Sequence, residues 1–200
     1  MRYHLPLLTA VAAVALLAGP SFAADDTDNT VVESSPGKGT VTRTRQVVAT
    51  VTEIDAATRQ VTIKGPNGHS LPLQASPEVR NLDKVAVGDR VVVKYRESLS
   101  LELKKEGGAP RASTDTGDVT RSKPGDRPGG EAVARTEVTA DVIAVDAKRQ
   151  TVTLKGPQET AELWVKDPKQ FGLIKVGDQV HAVYTRALAV SMQPAAPAKK

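Results

Sequence analysis

The stretch RQVTIKGP, residues 59–66, recurs later in the chain as RQTVTLKGP, residues 149–157. Each copy is followed by a Val-Gly-Asp triplet, at residues 87–89 and again at 176–178. The offset between the copies is 91 residues at the Gly-Pro and 89 residues at the Gly-Asp, so the loop between these motifs is two residues shorter in the second copy. We interpret this as one small module that occurs twice.

The residues around these motifs alternate in the manner of β-strands. Three strands are predicted, at residues 47–54, 61–63 and 71–73. In the first, one face has Val47, Ala49, Val51 and Glu53, and the other has Val48, Thr50, Thr52 and Ile54. Ser76-Pro77 and Asp167-Pro168 each place a capping residue before a proline, which predicts one short helical turn per module. Two further strands are predicted at residues 90–96 and 99–103 of the first module, and at 179–186 and 188–192 of the second.

The predicted order is strand, strand, strand, short helix, strand, strand. This is the order of the oligonucleotide/oligosaccharide-binding (OB) barrel, and an SH3-like barrel is the alternative. Closure is favoured because a domain this small must bury its strand edges and its core together. The fold class predicted from the sequence is therefore all-β, with two tandem small five-stranded OB-like barrels joined by a flexible linker.

The rest of the chain is predicted to lie outside the two barrels. The linker contains six glycines, three prolines and eleven charged residues, and such a segment buries too little apolar surface to order itself. As a flexible coil it would span about 30 Å and leave the barrels free to touch or separate. The predicted segments are a signal peptide 1–23, a flexible leader 24–45, barrels 46–103 and 133–192, the disordered linker 104–132 and a disordered tail 193–200.

The N-terminus predicts export from the cytoplasm. Arg2 precedes an apolar run, residues 5–17, and small residues end at Ala23, where we expect cleavage. The run is shorter than the roughly 20 residues of a membrane-spanning helix. The expected location is the periplasm, or the exterior if the source has no outer membrane. The chain has no cysteine, so neither a disulfide nor a lipid-attachment cysteine is available.

Charge does not favour nucleic acid as the partner. The chain without residues 1–23 has 26 basic and 23 acidic side chains, and the charges within each module are nearly balanced. Single-strand binding also needs several aromatic faces along a positive groove, and only four aromatic residues remain after cleavage. The small positive excess is compatible with a weak association with anionic envelope surfaces.

Several motifs indicate a family resemblance. Val-Thr-Ile-Lys-Gly-Pro (61–66), Val-Gly-Asp-Arg-Val (87–91) and Leu-Ser-Leu (99–101) make the modules similar to a widespread family of uncharacterised exported bacterial proteins. This resemblance implies export and tandem OB-like barrels, and it implies no activity.

A second, remote resemblance is to the periplasmic copper-binding chaperones of metal-efflux systems. These small barrels have a similar Val-Thr-Leu strand and Lys-Val-Gly-Asp turn, and they hold Cu(I) with histidine, methionine and tryptophan. Here Gly65 and Gly156 follow the second strand, and Leu71 and Leu73 stand where thioethers are wanted. Trp164 lies in the matching segment without a methionine beside it, because the one methionine of the mature chain, Met192, belongs to the last strand. The resemblance implies the barrel, and the metal ligands are missing.

Two histidines and four aspartates are the first candidate site residues. His69 and His181 do not correspond between the modules, and no spacing supplies further metal ligands, so we expect structural or solvent-exposed roles. The pairs Asp55/Asp146 and Asp89/Asp178 recur at strand ends or beside glycine. Paired carboxylates can perform acid–base chemistry, but these positions favour turn formation.

The remaining candidates are basic and aromatic residues that recur between the modules. Arg59/Arg149 and Lys64/Lys155 flank the second strand and are either an anion-binding face or, as we expect, a solvated face of ion pairs. Tyr95/Tyr184 occupy matching positions and are expected to fill the core with the hydroxyl at its rim.

The sequence predicts a protein that is not an enzyme. It contains no Gly-x-Ser-x-Gly, no phosphate loop, no His-Glu-x-x-His and no cysteine nucleophile. No catalytic residue, metal ligand or cofactor is assigned. The predicted function is a periplasmic binding or scaffold protein of the cell envelope, whose partner is an unknown envelope protein or a small ligand. The alternative is a periplasmic carrier of a metal ion or small ligand.

Overall fold

The chain is all-β, as predicted, and ten strands form one antiparallel sheet. The computed structural model describes residues 27–195, so the predicted signal peptide 1–23 and the last five residues of the tail lie outside the described residues. The strands are β1 Thr27–Ser35, β2 Lys38–Asp55, β3 Gln60–Lys64, β4 Ser70–Gln74, β5 Arg90–Lys104, β6 Ala112–Arg121, β7 Gly129–Asp146, β8 Thr151–Lys155, β9 Thr160–Trp164 and β10 Gln179–Gln193.

The sheet joins the two halves of the chain through their last strands. Its order is β4-β3-β2-β5-β10-β7-β8-β9, with β1 beside β2 and β6 beside β7. Strands β5 and β10 pair along their whole length, from Arg90 opposite Gln193 to Lys104 opposite Gln179. The question of whether the two halves touch is therefore answered: they share one continuous sheet.

Each half has its own small core, and both cores lie on the same face of the sheet. The residues of the first core are Val51, Val61, Leu82, Val85 and Val91, and those of the second are Ala140, Val142, Val152 and Leu154. A β-bulge interrupts β2 after Val51 and β7 after Val142, and a bulge bends a strand at the place where it occurs. We call the face that carries Val91 and Ala140 the core face, and the opposite face the outer face.

The described residues form one open sheet, whereas two separate OB-like barrels were predicted. The path of the sheet ends at β4 and at β9. The predicted fourth and fifth strands of each module are a single strand, β5 in the first half and β10 in the second. A barrel needs a corner at this point, but residues 90–104 and 179–193 contain no glycine or proline that would make one.

Two segments that were predicted to be flexible contain strands. The leader 24–45 contains β1 and the start of β2, and the linker 104–132 contains β6 and the start of β7. Every side chain of β1 and β6 is exposed, which explains why their sequences show no apolar period. Main-chain pairing with β2 and β7 orders these strands instead. The predicted tail begins within the structure as well, since β10 ends at Gln193.

The predicted helical turn is present in the second half. Helix α1 is Pro168–Phe171, and its capping residue Asp167 accepts a hydrogen bond from the backbone N–H of Lys169 at 2.9 Å. In the first half the helical residues begin later, as a 3-10 turn at Leu82–Lys84. No helix in residues 27–195 is long and apolar enough to cross a membrane.

Candidate functional site

The middle of the core face lies between the two cores, where β5 pairs with β10. Glu97 of β5 is opposite Arg186 of β10 at this point. Tyr95 and Tyr184 lie on either side of this pair, one on each strand. All four side chains belong to the core face, because they alternate with residues of the outer face along the two strands.

A single carboxylate oxygen joins the two tyrosines. The hydroxyls of Tyr95 and Tyr184 both donate hydrogen bonds to Oε1 of Glu97, at 2.6 and 2.8 Å. The guanidinium carbon of Arg186 lies 5.7 Å from the centroid of the Tyr184 ring, in a cation–π contact. Hydrogen bonds to an ionised acceptor are stronger than neutral ones, so Glu97 holds both rings in place across the junction of the halves.

The environment raises the pKa of both phenols. Burial is the largest cause, followed by donation to Glu97 and by the negative charge of that carboxylate, and together they raise the pKa of Tyr184 to about 12. The same causes raise the pKa of Tyr95. Both phenols therefore stay neutral at physiological pH, so they can position a ring or donate a hydrogen bond and are poor bases. Tyr95 and Tyr184 were predicted to fill the core, but they lie half-buried between the two cores and belong to neither.

Apolar side chains lie on both sides of this cluster along the strands and remain open to solvent, whereas Arg43 and Arg45 of β2 lie opposite Glu97 and Tyr95. Leu188, Val41 and Val190 expose 44%, 42% and 36% of their surface. Exposed apolar side chains that lie together mark interaction sites more often than scattered ones do. We call this set the central surface; it consists of Val41, Tyr95, Leu99, Tyr184, Leu188 and Val190.

The outer face of the same strands has a different chemistry. The hydroxyl pairs Thr40–Ser100 and Thr42–Ser98 are hydrogen-bonded at 3.0 Å each, across β2 and β5. The apolar surface in the middle of the sheet is therefore one-sided.

The carboxylates of the Val-Gly-Asp turns are buried and hold the two halves together. Asp89 binds the Arg127 guanidinium at 2.6 Å, and Asp178 binds the Lys105 ammonium at 2.7 Å. Each carboxylate also closes its own turn by accepting the N–H three residues before it, at 3.0 and 2.8 Å. The cations come from the two ends of the segment that was predicted to be a free linker. The predicted turn role is present, together with a cross-link that was not predicted.

The pKa of both buried carboxyls is lowered. Burial alone would raise the pKa of Asp89, but the Ala86 N–H, the Arg127 guanidinium and the Ala195 N–H outweigh it. Burial would likewise raise the pKa of Asp178, and Lys105 together with backbone N–H groups outweighs it. Both groups are therefore structural anions at neutral pH, and a general acid is not available at either turn.

Two side-chain amides, one in each half, also form hydrogen bonds with the backbone of the other half. The side-chain amide of Gln170 in α1 donates to the Ser35 carbonyl at 2.7 Å and accepts from the Gly37 N–H at 3.0 Å. In the repeat alignment, the residue 89 positions earlier is Asn81. Each amide clasps the turn of a β-hairpin that belongs to the other half.

Asn81 makes the matching contacts with the second hairpin turn. Its amide donates to the Lys123 carbonyl at 2.8 Å and accepts from the Gly125 N–H at 3.4 Å. Gly37 and Gly125 have φ of 74° and 93°, and each follows a proline. Only glycine adopts such angles freely, and proline followed by glycine is typical of a tight turn.

The candidate metal ligands stay apart. His69 lies in the exposed turn between β3 and β4, whereas His181 lies in β10 with Nε2 3.4 Å from Glu137. Trp164 is 63% exposed under the Lys166 ammonium, and Met192 packs against the first core. Within residues 27–195, no group of three or more His, Cys, Asp or Glu could hold a metal ion.

Asp55 and Asp146 are turn residues, as predicted. One oxygen of Asp55 accepts the N–H groups of the residues two and three positions later, at 2.9 and 3.2 Å. Asp146 makes the same two contacts at 2.9 and 3.1 Å.

The predicted correspondence of Arg59 with Arg149 is wrong by one residue. Arg59 and Gln150 share a positive φ and the same backbone contact to the next strand, so these two correspond. Arg59 donates to three backbone carbonyls, at residues 75, 76 and 79. Arg149 instead pairs with Asp146 and, through both terminal nitrogens, with Glu162. Lys64 and Lys155 are exposed ends of β3 and β8. A salt-bridged face is thus present in the second half, at Arg149.

Comparison with known proteins adds no assignment. A scan against protein-family models, a search of curated proteins and a search of solved structures each return no match. The class of this protein is therefore defined by its own residues: an all-β chain whose halves clasp each other and expose one apolar, tyrosine-bearing surface.

Sequence reasoning missed the clasps, although the sequence contains a signal for them. Ser35-Pro36-Gly37 and Lys123-Pro124-Gly125 are X-Pro-Gly triplets inside segments that were interpreted as flexible. Each is typical of a turn, and a turn flanked by Thr and Val predicts a hairpin. No sequence motif predicts that Glu97 binds both tyrosines, because Tyr184 reaches Glu97 only through the pairing of β5 with β10.

Proposed function

We propose that this chain is a non-enzymatic binding or scaffold protein of the cell envelope, exported to the periplasm, and that it binds its partner through the central surface. The observation that carries this proposal is the exposed, one-sided apolar surface around Tyr95 and Tyr184, whose rings are fixed by Glu97. Tyrosine is enriched in protein interfaces because it offers a large apolar ring and a polar tip.

The rigidity of this surface supports binding. Its strands come from both halves, and the halves are tied by the two Asp–cation pairs and the two amide clasps. A surface that is already ordered loses little conformational entropy when a partner binds. Tyr95 and Tyr184 stay protonated and Asp89 and Asp178 stay ionised at neutral pH, so these groups favour a binding role over a role in proton transfer.

An envelope protein is the partner class that this surface fits best. The apolar side chains lie on a broad sheet face instead of in a deep cavity, which suits a protein surface more than a small ligand. The carrier alternative requires His69 and His181 to converge, and they lie in different halves on separate elements. The small positive excess of the mature chain would assist its encounter with anionic envelope surfaces.

Site-directed photo-crosslinking in intact cells tests the binding surface. A photoreactive amino acid at Leu188 should capture a specific envelope protein, because this side chain lies on the central surface and is 44% exposed. The matched control is Ala187, the neighbouring residue on the outer face. Equal capture from both positions, or no capture from Leu188, would contradict the proposal.

Export is tested separately. Cell fractionation should place the protein in the periplasm, and the purified mature chain should begin at Ala24. A cytoplasmic protein that still begins at Met1 would overturn the proposed location and leave the binding surface to its own test.

A further inference from the structure

Strands β4 and β9 end the path of the sheet, and they differ in one decisive residue; β1 and β6 are two further edge strands, beside β2 and β7. Just before β9, the Glu159 carbonyl accepts a hydrogen bond from the Gly156 N–H. Just after β9, the Val165 N–H donates to the Gln150 carbonyl, so both groups point towards β8. Antiparallel strands alternate inward and outward residues, so the N–H and C=O groups of Thr160, Glu162 and Trp164 point away from the sheet. Among residues 27–195, nothing hydrogen-bonds the N–H and C=O groups of these three outward residues.

The matching edge of the first half is blocked. The His69 carbonyl and the Ala75 N–H, which flank β4, form hydrogen bonds on the side of β3. Because inward and outward residues alternate, the outward residues of β4 are Ser70, Pro72 and Gln74. Proline has no N–H, and proline on an edge strand prevents pairing with another chain. Pro72 stands at the middle outward position of β4, where β9 has Glu162. Of the two strands that end the path of the sheet, β4 is therefore blocked to strand addition and β9 is not.

We propose that two copies of this chain join edge to edge through β9, antiparallel, about a two-fold axis at Glu162. In this register Glu162 faces Glu162 of the second copy, and Thr160 faces Trp164 of the second copy. All outward N–H and C=O groups of these residues then find partners, which makes six main-chain hydrogen bonds.

The side chains of β9 are compatible with this pairing. Leu163 packs on the second core, and in this register it lies opposite Ala161 of the second copy on the core face. Trp164, 63% exposed in one copy, lies opposite Thr160 of the second copy on the outer face. The two Glu162 carboxylates oppose each other, which is unfavourable. Each is already held by the two terminal nitrogens of Arg149 at 3.0 Å, so the repulsion is reduced.

Pro72 also disfavours a longer assembly through β4. A head-to-tail contact of β9 with β4 of the next copy would repeat without end and form a filament. The missing N–H of Pro72 disfavours that contact, and the two-fold contact remains. Five residues a side is far below the standard interface of about 800 Å² per partner, so the dimer is reversible and forms at high local concentration.

The dimer would place both central surfaces on one side of the extended sheet. The two-fold axis is perpendicular to the sheet, because Leu163 and Ala161 of the second copy share the core face. Two sites on one side raise avidity for a partner that presents two contacts. This last consequence rests on the proposed function, whereas the pairing itself does not.

Sedimentation equilibrium of residues 24–200 tests the pairing, at concentrations up to about 1 mM, where weak association is measurable. The wild type should dimerise reversibly. Glu162→Pro should be monomeric because it removes the outward N–H, and Glu162→Gln should dimerise more tightly because it removes the opposed charges. Ser70→Pro, on the other edge, is the matched control and should dimerise like the wild type.

Hydrogen exchange supplies a second readout that needs no variant. The amides of Thr160, Glu162 and Trp164 should become protected as concentration rises, while those of Ser70 and Gln74 stay fast. A wild type that is monomeric throughout, a dimer that persists in a folded Glu162→Pro variant, or a dimer with unprotected β9 amides would overturn the pairing. Crosslinking from Leu188 would be unaffected by such a failure, so the two proposals are separable.

Discussion

Glu97 and Arg186 face each other across β5 and β10, and they also occupy the same position of the two halves, since 89 residues separate them. The junction between the halves is therefore centred on this pair. If either strand paired with a copy of itself in the same register, two like charges would be opposed at the centre. One carboxylate and one guanidinium at this position favour the pairing of β5 with β10 over either self-pairing.

The titration of the tyrosines should depend on Glu97. Residues 24–200 contain two tyrosines, Tyr95 and Tyr184, so their ultraviolet titration is free of other phenols. Replacing Glu97 with Gln removes the negative charge that both hydroxyls face. The midpoint of Tyr184 should then fall from about 12 towards the ordinary value of 10.0.

The matched control for this titration is Glu102→Gln. Glu102 is on the same strand but on the outer face, where it binds Lys38 and Lys104, so the titration should not change. Equal tyrosine midpoints in the wild type and Glu97→Gln would show that the hydroxyls do not share this carboxylate.

The buried turn carboxylates should make stability depend on acid pH. The pKa of Asp89 and Asp178 is lower in the folded chain than the ordinary value of 3.8. Their stabilisation is therefore fully present above about pH 4 and is lost as pH falls through the folded pKa. Asp89→Asn should lower the free energy of unfolding at pH 7 by about 1–3 kcal/mol, measured in urea.

This loss should become smaller at a second, acidic pH below the ordinary pKa of 3.8, because the wild-type carboxylate loses its charge as the pH falls through its folded pKa. Asp118→Asn is the control, because Asp118 is exposed on β6 and its substitution should have little effect at either pH. A wild type and an Asp89→Asn variant that differ equally at both pH values would contradict the role of the ionised Asp89–Arg127 pair.

The amide clasp of Gln170 should hold the first hairpin turn. Gln170→Leu removes the acceptor of the Gly37 N–H and the donor to Ser35, so it should destabilise the chain by about 1–2 kcal/mol. The Gly37 amide should also exchange faster with solvent. Lys169→Leu, next to it in α1, serves as the control. Unchanged exchange at Gly37 in Gln170→Leu would show that the turn is held by β1–β2 pairing alone.

The local structure could be predicted from sequence wherever residue type decides it. The hairpin turns at Asp55 and Asp146 and the cap at Asp167 depend on residues within a few positions, and these predictions are confirmed. The all-β class followed from alternation along the long strands.

The global arrangement depends on contacts that the sequence does not display locally. Strand β5 is continuous because residues 90–104 contain no glycine or proline that would make a corner. Strand β6 is ordered through its pairing with β7 and through turn contacts to Asn81, which lies in the other half. The low apolar content of residues 104–132 predicted a flexible segment, but backbone hydrogen bonds to β7 order β6.

The central claim is that the two halves form one rigid body with a single binding surface. Val87 and Val176 are both 63% exposed, lie in the two Val-Gly-Asp turns, and can be replaced by cysteine for spin labelling because the chain has no other cysteine. Pulsed electron paramagnetic resonance on residues 24–200 at low concentration should give one narrow distance distribution between these labels. A broad distribution, as expected of halves tethered by the flexible segment 104–132, would contradict the account.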